Sequence, residues 1–209
     1  MPLGAFKAAL MGTAGVSTGP SAPYVVLLAS NSADTTDLAN ISFTSGIDST
    51  YGEYIFKFYN INPATDKTKL LFQGSIDGGS NYGVTMTSTH FYRGHDEQGS
   101  NAGTGGYQTS LDLAQSTDFM SLIEQAGNDA DCSISGELHL FNPSSTTYVK
   151  HWYSKLNYMH SSGDSPSRPY SFISYCGGYF NDADDNIDAV QFKMSSGNLD
   201  GLIKMWGVK

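Results

Sequence analysis

The feature that most constrains the fold is a strict alternation of apolar and polar side chains near the C-terminus. Val190, Phe192 and Met194 alternate with polar neighbours, and Ile203 and Met205 repeat the pattern after a polar loop. A period of two places successive side chains on opposite faces of a half-buried antiparallel strand. The loop between the runs carries two glycines, which tolerate turn geometry. The pattern therefore predicts that the last two strands form a β-hairpin.

Further short runs with strand character are spaced along the chain. They are rich in β-branched and aromatic residues and are separated by Gly, Pro, Asn and Asp, as in all-β proteins. Predicted strands cover residues 24–29, 41–43, 54–61, 70–76, 84–91, 136–141, 148–158 and 170–180. The first run is apolar throughout, which predicts burial on both faces. The last is expected to be broken at Gly177 and Gly178.

Two of these runs end in a similar way. Residues 58–65 and 140–146 each carry an aromatic strand into Asn-Pro, followed by small turn residues and a further strand-like run. Because proline removes a ladder hydrogen bond and asparagine tolerates turn geometry, Asn-Pro ends a strand. Two such hairpins favour an antiparallel two-sheet β-sandwich of Greek-key or jelly-roll type. We expect one sandwich domain over residues 24–209.

Two segments depart from the strand pattern. Apolar residues from Phe119 to Ala126 follow the i, i+3, i+4, i+7 spacing of a helix, with Ser116 as a candidate N-cap. This spacing predicts a short helix over residues 116–126, with a strand as the alternative. Residues 94–107 are polar and lack periodicity, which predicts a long loop that serves binding or is mobile.

The charge composition restricts the partners. Charged residues make up 15% of the chain, the net charge is −9, and Lys and Arg together number 11. Binding to a phosphate backbone rests on neutralisation by Lys and Arg, so nucleic acid is not expected as a partner. No apolar run reaches the roughly 18 to 20 residues that cross a bilayer, so no membrane partner is expected. The 12% aromatic content argues against disorder.

The first 23 residues form a distinct segment. Leu3, Phe6, Leu10 and Met11 are apolar, whereas residues 16–23 are rich in Gly, Ser and Pro, as in an extended connector. Apolar side chains gain little from exposure to water, which favours an N-terminal arm that binds other subunits; the alternative is an unstructured terminus. A signal peptide is not expected, because glycines interrupt the apolar stretch.

Several motifs match patterns of catalytic, metal-binding or disulfide sites but lack the structural context that such sites require. Residues 15–19 match the G-x-S-x-G nucleophile pattern, but no strand-to-helix turn surrounds Ser17. Residues 182–188 are acidic, yet the Gly and Glu of an EF-hand are missing, which leaves a looser calcium site or a solvated loop. Cys132 and Cys176 are too few for a disulfide framework. Whether they pair is open, and Cys176 is expected to be a buried free thiol.

The histidines also give no clear metal site. His90, His95, Asp96 and Glu97 lie close together in sequence, but their spacing fits none of the patterns of transition-metal sites. The remaining histidines are scattered on predicted strands as surface or packing residues, namely His139, His151 and His160. Neither a cofactor nor a catalytic residue is predicted.

A group of aromatic residues in the C-terminal half suggests sugar binding, because sugar rings stack on exposed aromatic faces. The group comprises Trp152, Tyr153, Tyr158, Tyr170 and Tyr175. Trp152 and Tyr153 are the candidate contacts to a host surface glycan. However, Trp152 and Tyr158 share strand parity with Leu156, which favours a place in the core for these two.

Three separated stretches resemble virion structural proteins of marine tailed bacteriophages. They are ISFTSGIDSTYGEYIFKFYNINPATD, SGELHLFNPSSTTYVKHWYS and VQFKMSSGNLDGLIKMWGV. The opening MPLGAFKAALMGTAGVS is similar to the N-terminal arm of that group. The resemblance spans nearly the whole chain. It implies a jelly-roll-like β fold and a role in the phage particle, without catalytic residues to carry over.

The resulting hypothesis is a non-enzymatic, homo-oligomeric virion component whose residues 1–23 bind other virion proteins. Symmetric shells repeat one contact many times, so a modest apolar arm gains from multivalency. Capsid decoration or a head fibre is favoured over the tail. The alternative is a tail or fibre module that binds a receptor or carbohydrate through the loops 94–107 and 161–169. An enzyme such as a polysaccharide depolymerase is a third class.

Overall fold

The computed structural model describes residues 25–32, 37–100, 102–160, 170–181 and 184–209. These ranges contain β-strands and no helix, which confirms the all-β prediction; none of their segments therefore meets the helical length and apolarity that a membrane crossing requires. The strands are β1 (Val25–Ser32), β2 (Ile41–Phe43), β3 (Glu53–Pro63), β4 (Leu70–Ser75), β5 (Met86–Asp96), β6 (Ala102–Thr104), β7 (Met120–Ser121), β8 (Ile134–Phe141), β9 (Lys150–His160), β10 (Tyr170–Phe180), β11 (Ala189–Met194) and β12 (Leu199–Val208).

The strands form two antiparallel sheets whose inner faces enclose one core. The large sheet has the order β1-β12-β3-β8-β9-β10-β5-β6, and the small sheet has the order β2-β11-β4-β7. Burial alternates along the long strands, most regularly in β9, so one side of the large sheet faces the core and the other faces solvent. The solvent side is called the outer face below.

The strand order is that of a jelly roll, in which eight strands form two Greek keys. When β5, β6, β9 and β10 are set aside, eight strands remain. In chain order, the first, last, third and sixth of these eight are neighbours in the large sheet, namely β1, β12, β3 and β8. The second, seventh, fourth and fifth are neighbours in the small sheet, namely β2, β11, β4 and β7. The four strands set aside extend the large sheet beyond β8. The prediction of a jelly-roll-like two-sheet β-sandwich is confirmed.

The predicted C-terminal hairpin is wrong, because its two arms belong to different sheets. β11 pairs with β2 and β4, whereas β12 pairs with β1 and β3. The side chains of Val190, Phe192 and Met194 and those of Ile203 and Met205 are buried as expected. An alternating pattern shows which side chains are buried, but not whether two strands lie side by side or face each other.

The two Asn-Pro segments also differ in the structure. β8 and β9 form the hairpin predicted around Asn142-Pro143. β3 continues through Asn62-Pro63, where Pro63 pairs with Leu199, and the chain then crosses to β4 in the small sheet. The prediction is therefore right for the second segment and wrong for the first.

An aromatic cluster around Phe192 fills the centre of the core. Its ring centroid lies 5.0 Å from that of Phe58, 5.4 Å from that of Phe72 and 5.5 Å from that of Phe56. Phe56 and Phe58 belong to the large sheet, whereas Phe72 and Phe192 belong to the small sheet, so the cluster joins the two layers. Each such pair contributes about 0.5–1.5 kcal/mol beyond area burial.

Two predictions about individual strands are wrong. Val25 and Leu27 of β1 are 50% and 45% exposed, because β1 is the edge strand of the large sheet and its outer face is open. β10 is not broken at its two glycines, since Gly177 and Gly178 pair in unshifted register with β9 and β5.

The predicted helix over residues 116–126 is also wrong, and the strand alternative is closer. Met120–Ser121 forms β7 against β4, and isolated bridges join Ser116 to Met86 and Ala126 to Thr68. The extended segment buries Leu122 and Ile123 in succession, and this imitates helical spacing.

The predicted loop over residues 94–107 is partly folded. β5 extends to Asp96, and β6 pairs with it through Gly94 and His95. The side chain of Arg93 donates to the carbonyl oxygens of Gly103 and Gly105, which fastens the return segment to β5.

Candidate ligand-binding face

The outer face of the large sheet carries a patterned row of side chains across four strands. His139 on β8 lies opposite Tyr153 on β9, and Tyr153 lies opposite Gly177 on β10. Gly177 in turn lies opposite Thr89 on β5. A glycine therefore stands in the middle of a row that has side chains on both sides.

Tyr153 is supported from the β8 side. Its ring stacks on that of His139 at a centroid distance of 4.5 Å and an interplanar angle of 10°, and Phe141 lies 5.8 Å away. His139 is itself held in place, because its Nδ1 lies 2.5 Å from Oε1 of Glu53. Tyr153 is nonetheless 44% exposed, since its β10 side faces Gly177 and not a side chain.

Tyr175 and Tyr179 flank Gly177 along β10, two residues away in each direction. Residues i and i+2 of a strand share a face and lie roughly 6.5–7 Å apart. The gap over Gly177 is thus bounded by Tyr153, Tyr175, Tyr179 and Thr89, and its floor is the β10 backbone. We call this gap the Gly177 slot.

The two tyrosines on β10 also have supporting neighbours. Nζ of Lys155 lies 5.8 Å from the ring centroid of Tyr175, which is the geometry of a cation–π contact. The ring of His151 lies edge-on to Tyr179 at 6.0 Å. Basic and polar groups therefore stand at the rim of the slot, beside the aromatic faces.

A surface pocket of about 990 Å³ adjoins the slot near the β8–β9 turn. Phe141 and His151 line this pocket and also contact Tyr153 and Tyr179, respectively, so pocket and slot form one continuous strip. The other lining residues are mainly hydroxyl-bearing and aromatic, namely Ser49, Tyr51, Gly52, Asn142, Ser144, Ser145, Thr147, Tyr148 and Val149. Aromatic surfaces with a few polar groups are typical of sites for small molecules.

The structure brings one Cys–His pair together, in the core. Sγ of Cys176 lies 3.3 Å from Nδ1 of His90, and that nitrogen lies 3.0 Å from the carbonyl oxygen of Ser121. Burial raises the pKa of the Cys176 thiol to about 12 and lowers the pKa of His90. Because the thiolate is the reactive form, this pair is not an activated nucleophile. Cys132 is also a buried free thiol, so the two cysteines do not pair.

The other residues near His90 do not gather around a common point. His90 faces the core, Nδ1 of His95 lies 2.6 Å from the carbonyl oxygen of Asp96, and the carboxylate of Asp96 accepts from the backbone and hydroxyl of Ser100. Glu97 is exposed. In the part of the chain that the structure describes, no three His, Cys, Asp or Glu side chains are placed as metal ligands.

Several predicted features fall wholly or partly outside the described residues. These are the arm residues Leu3, Phe6, Leu10 and Met11, the motif at residues 15–19, the loop 161–169, and Asp182 in the acidic loop. Within the described end of that loop, both carboxylate oxygens of Asp188 lie 3.0 Å from the backbone nitrogen of Gly78. Asp188 thus closes a contact between two loops.

The aromatic candidates divide between the two sides of the sheet. Trp152 is 2% exposed and packs edge-on to Phe72, and Tyr158 is also buried, as strand parity indicates. Trp152 therefore has no open ring face for a surface ligand. Tyr153 and Tyr175 lie on the outer face, where ligand contact by Tyr153 stays a prediction.

Sequence reasoning missed Gly177 and the support of Tyr153 by His139. The spacing of Tyr175, Gly177 and Tyr179 places them on one face of a continuous strand. Because the strand was predicted to break at Gly177, this shared face could not be inferred from the sequence. The pairing of His139 with Tyr153 depends on the register of the β8–β9 hairpin, which composition does not fix.

No protein-family model, curated protein or solved structure matches this chain. Its class therefore rests on its own fold and surface: an antiparallel jelly-roll β-sandwich whose larger sheet is extended by four strands. The extension strands β9, β10 and β5 carry much of the aromatic outer face.

Proposed function

We propose that this protein is a non-enzymatic structural component of a tailed-bacteriophage particle. The observation that carries the proposal is the jelly-roll strand order, an architecture that viral capsid proteins share with lectins. The resemblance of residues 41–66, 135–154 and 190–208 to virion proteins of marine tailed phages supports the same function. Capsid decoration or a head fibre is favoured over the tail.

In this proposal, residues 1–23 bind neighbouring virion proteins and the sandwich is displayed on the particle. Leu3, Phe6, Leu10 and Met11 supply the apolar contact, which symmetry repeats at each copy. The Cys176–His90 pair is buried in the core and has no role in this proposal. A homo-oligomer follows from the same symmetry.

Imaging of the intact particle tests the proposal. We expect density for the two-sheet sandwich at regular positions on the head, and absence of the protein from purified particles would contradict a virion role. Deletion of residues 1–20 should leave a β domain that folds but does not incorporate. Lys7→Ala is the matched control within the arm, and normal incorporation of the deletion variant would contradict the anchoring role.

A second candidate function, a receptor- or carbohydrate-binding module, is favoured by the aromatic outer face around Tyr153. The two functions are compatible, because a displayed virion protein can also bind the host surface. They are separable by experiment, since one concerns the particle and the other concerns the isolated protein.

A further inference from the structure

Gly177 has no structural reason to be glycine. A Cβ added there would lie 3.7 Å from the carbonyl oxygen of Trp152 and 3.9 Å from Cβ of Tyr153, which are ordinary contacts, and its φ is not left-handed. At Gly178, the adjacent residue, an added Cβ would collide with the carbonyl oxygen of Thr87 and lie 2.9 Å from Cβ of Ser88. Packing therefore requires glycine at position 178 but not at position 177.

The other glycines within the described strands are each explained by the fold. Their added Cβ atoms would clash with neighbouring atoms, or their backbones have a positive φ. They are Gly74, Gly94, Gly103, Gly136, Gly201 and Gly207. A glycine inside a strand weakens it and often marks close approach by a ligand or another backbone. In the described strands, Gly177 is the position where neither a close approach by another part of the chain nor a positive φ accounts for the glycine.

We infer that the Gly177 slot binds one pyranose unit of a carbohydrate, stacked on the open face of Tyr153. This inference deepens the second function above and does not depend on a place in the virion. The slot is the width of one missing side chain on β10, between β9 and β5. These two strands lie two strand spacings apart, or about 9.6 Å, which suits a single ring and not a protein surface. The polarised C–H bonds of a sugar ring fit the negative face of an aromatic ring.

The rim of the slot suits the hydroxyl groups of a sugar. Lys155 and His151 stand on the β9 side, and the hydroxyl of Thr89 lies 3.4 Å from the carbonyl oxygen of Gly177 on the other side. The stack of Tyr153 on His139 fixes the ring before a ligand arrives, and a preorganised side chain loses little entropy on binding. The adjoining pocket would hold further sugar units of the same oligosaccharide.

The test is a glycan array of neutral, N-acetylated and acidic oligosaccharides probed with the purified full chain, followed by titration of the strongest oligosaccharide. We expect Tyr153→Ala and Gly177→Thr each to weaken binding by about tenfold or more, because stacking is lost or the slot is filled. Tyr59→Ala is the matched control. Tyr59 is a similarly exposed tyrosine, 39% against 44%, on the same face but on β3.

Each outcome bears on the inference. Loss of binding in both slot variants, with Tyr59→Ala unchanged and all circular dichroism spectra native, supports it. Absence of binding across the array overturns it, as does equal binding by all variants. If Gly177→Thr instead abolishes self-association in sedimentation experiments, the slot is an interface between copies and the carbohydrate inference is wrong. None of these results depends on whether the protein is found in the virion.

Discussion

On β9 and β10, Trp152 and Gly178 lie on the side that faces the core, whereas the adjacent Tyr153 and Gly177 lie on the side that faces solvent. The inner pair is fixed by packing, because Trp152 fills space beside Phe72 and Gly178 leaves room for the β5 backbone. In the outer pair, Tyr153 is packed on its β8 side by His139 and Phe141, whereas no contact within the molecule requires glycine at position 177. This contrast is the basis for the proposal that a ligand binds beside Tyr153.

The largest expected difference in stability is between substitutions at Trp152 and at Tyr153. Trp152→Ala should lower the free energy of unfolding by about 3–5 kcal/mol, because it leaves a cavity in the core. Tyr153→Ala should lower it by about 1 kcal/mol or less, since it removes only half-exposed contacts with His139 and Phe141. Urea titration monitored by far-ultraviolet circular dichroism, which reports on the backbone and not on tryptophan fluorescence, measures both losses of stability. Equal losses would contradict the division between the two faces.

The second effect separates the two glycines. Gly178→Ala should destabilise the protein by about 1–3 kcal/mol, because the new methyl group has to displace the β5 backbone at Thr87 or the side chain of Ser88. The matched control is the same substitution one residue earlier, at Gly177. A Gly178→Ala variant as stable as the parent would show that the two positions are not constrained differently.

The third effect is a loss of stability at acidic pH, caused by buried and partly buried histidines on the core-facing side of the large sheet. Burial lowers the pKa of His90 and of His160, so the unfolded chain takes up protons at a higher pH than the folded chain. Stability should therefore fall as the pH drops below about 6.5, by at most about 1.4 kcal/mol per pH unit for each histidine. His90→Gln should make the pH dependence between pH 7 and 5 shallower. An unchanged slope would exclude His90 as a source.

The smallest effect is expected from Gly177→Ala. Replacing a strand glycine whose surroundings accept a methyl group should raise the free energy of unfolding by up to about 1 kcal/mol, because the unfolded chain loses conformational freedom. Differential scanning calorimetry resolves a change of this size. A clear loss of stability would mean that the fold itself requires glycine there.

The fold was predictable to the extent that burial patterns determine it. Alternation located most strands and the inner residues of β11 and β12, and the Asn-Pro turn located the β8–β9 hairpin. Strand partners were not predictable, because β11 and β12 present the same alternation whether they pair or face each other across the core. The position of β1 at the edge of the large sheet was not predictable either. Its apolar sequence is the same whether its outer face is covered or open to solvent.

The candidate site was less predictable for a related reason. Tyr153 could be chosen as an exposed aromatic by parity with the buried Trp152. Its relation to Gly177 and His139 requires the register of three strands, and register depends on turns and bulges distributed over the sheet. Glycine also has two opposite explanations, close packing or ligand approach, and the coordinates of its neighbours are needed to choose between them.

The most direct measurement is to record melting temperature and oligosaccharide affinity together for Gly177→Thr. Threonine suits a strand and fills the slot. We expect a melting temperature equal to or above that of the parent chain, with affinity for the array's strongest oligosaccharide reduced by about tenfold or more. A lower melting temperature, or an affinity that is undiminished, would contradict the conclusion that Gly177 is kept open for a ligand.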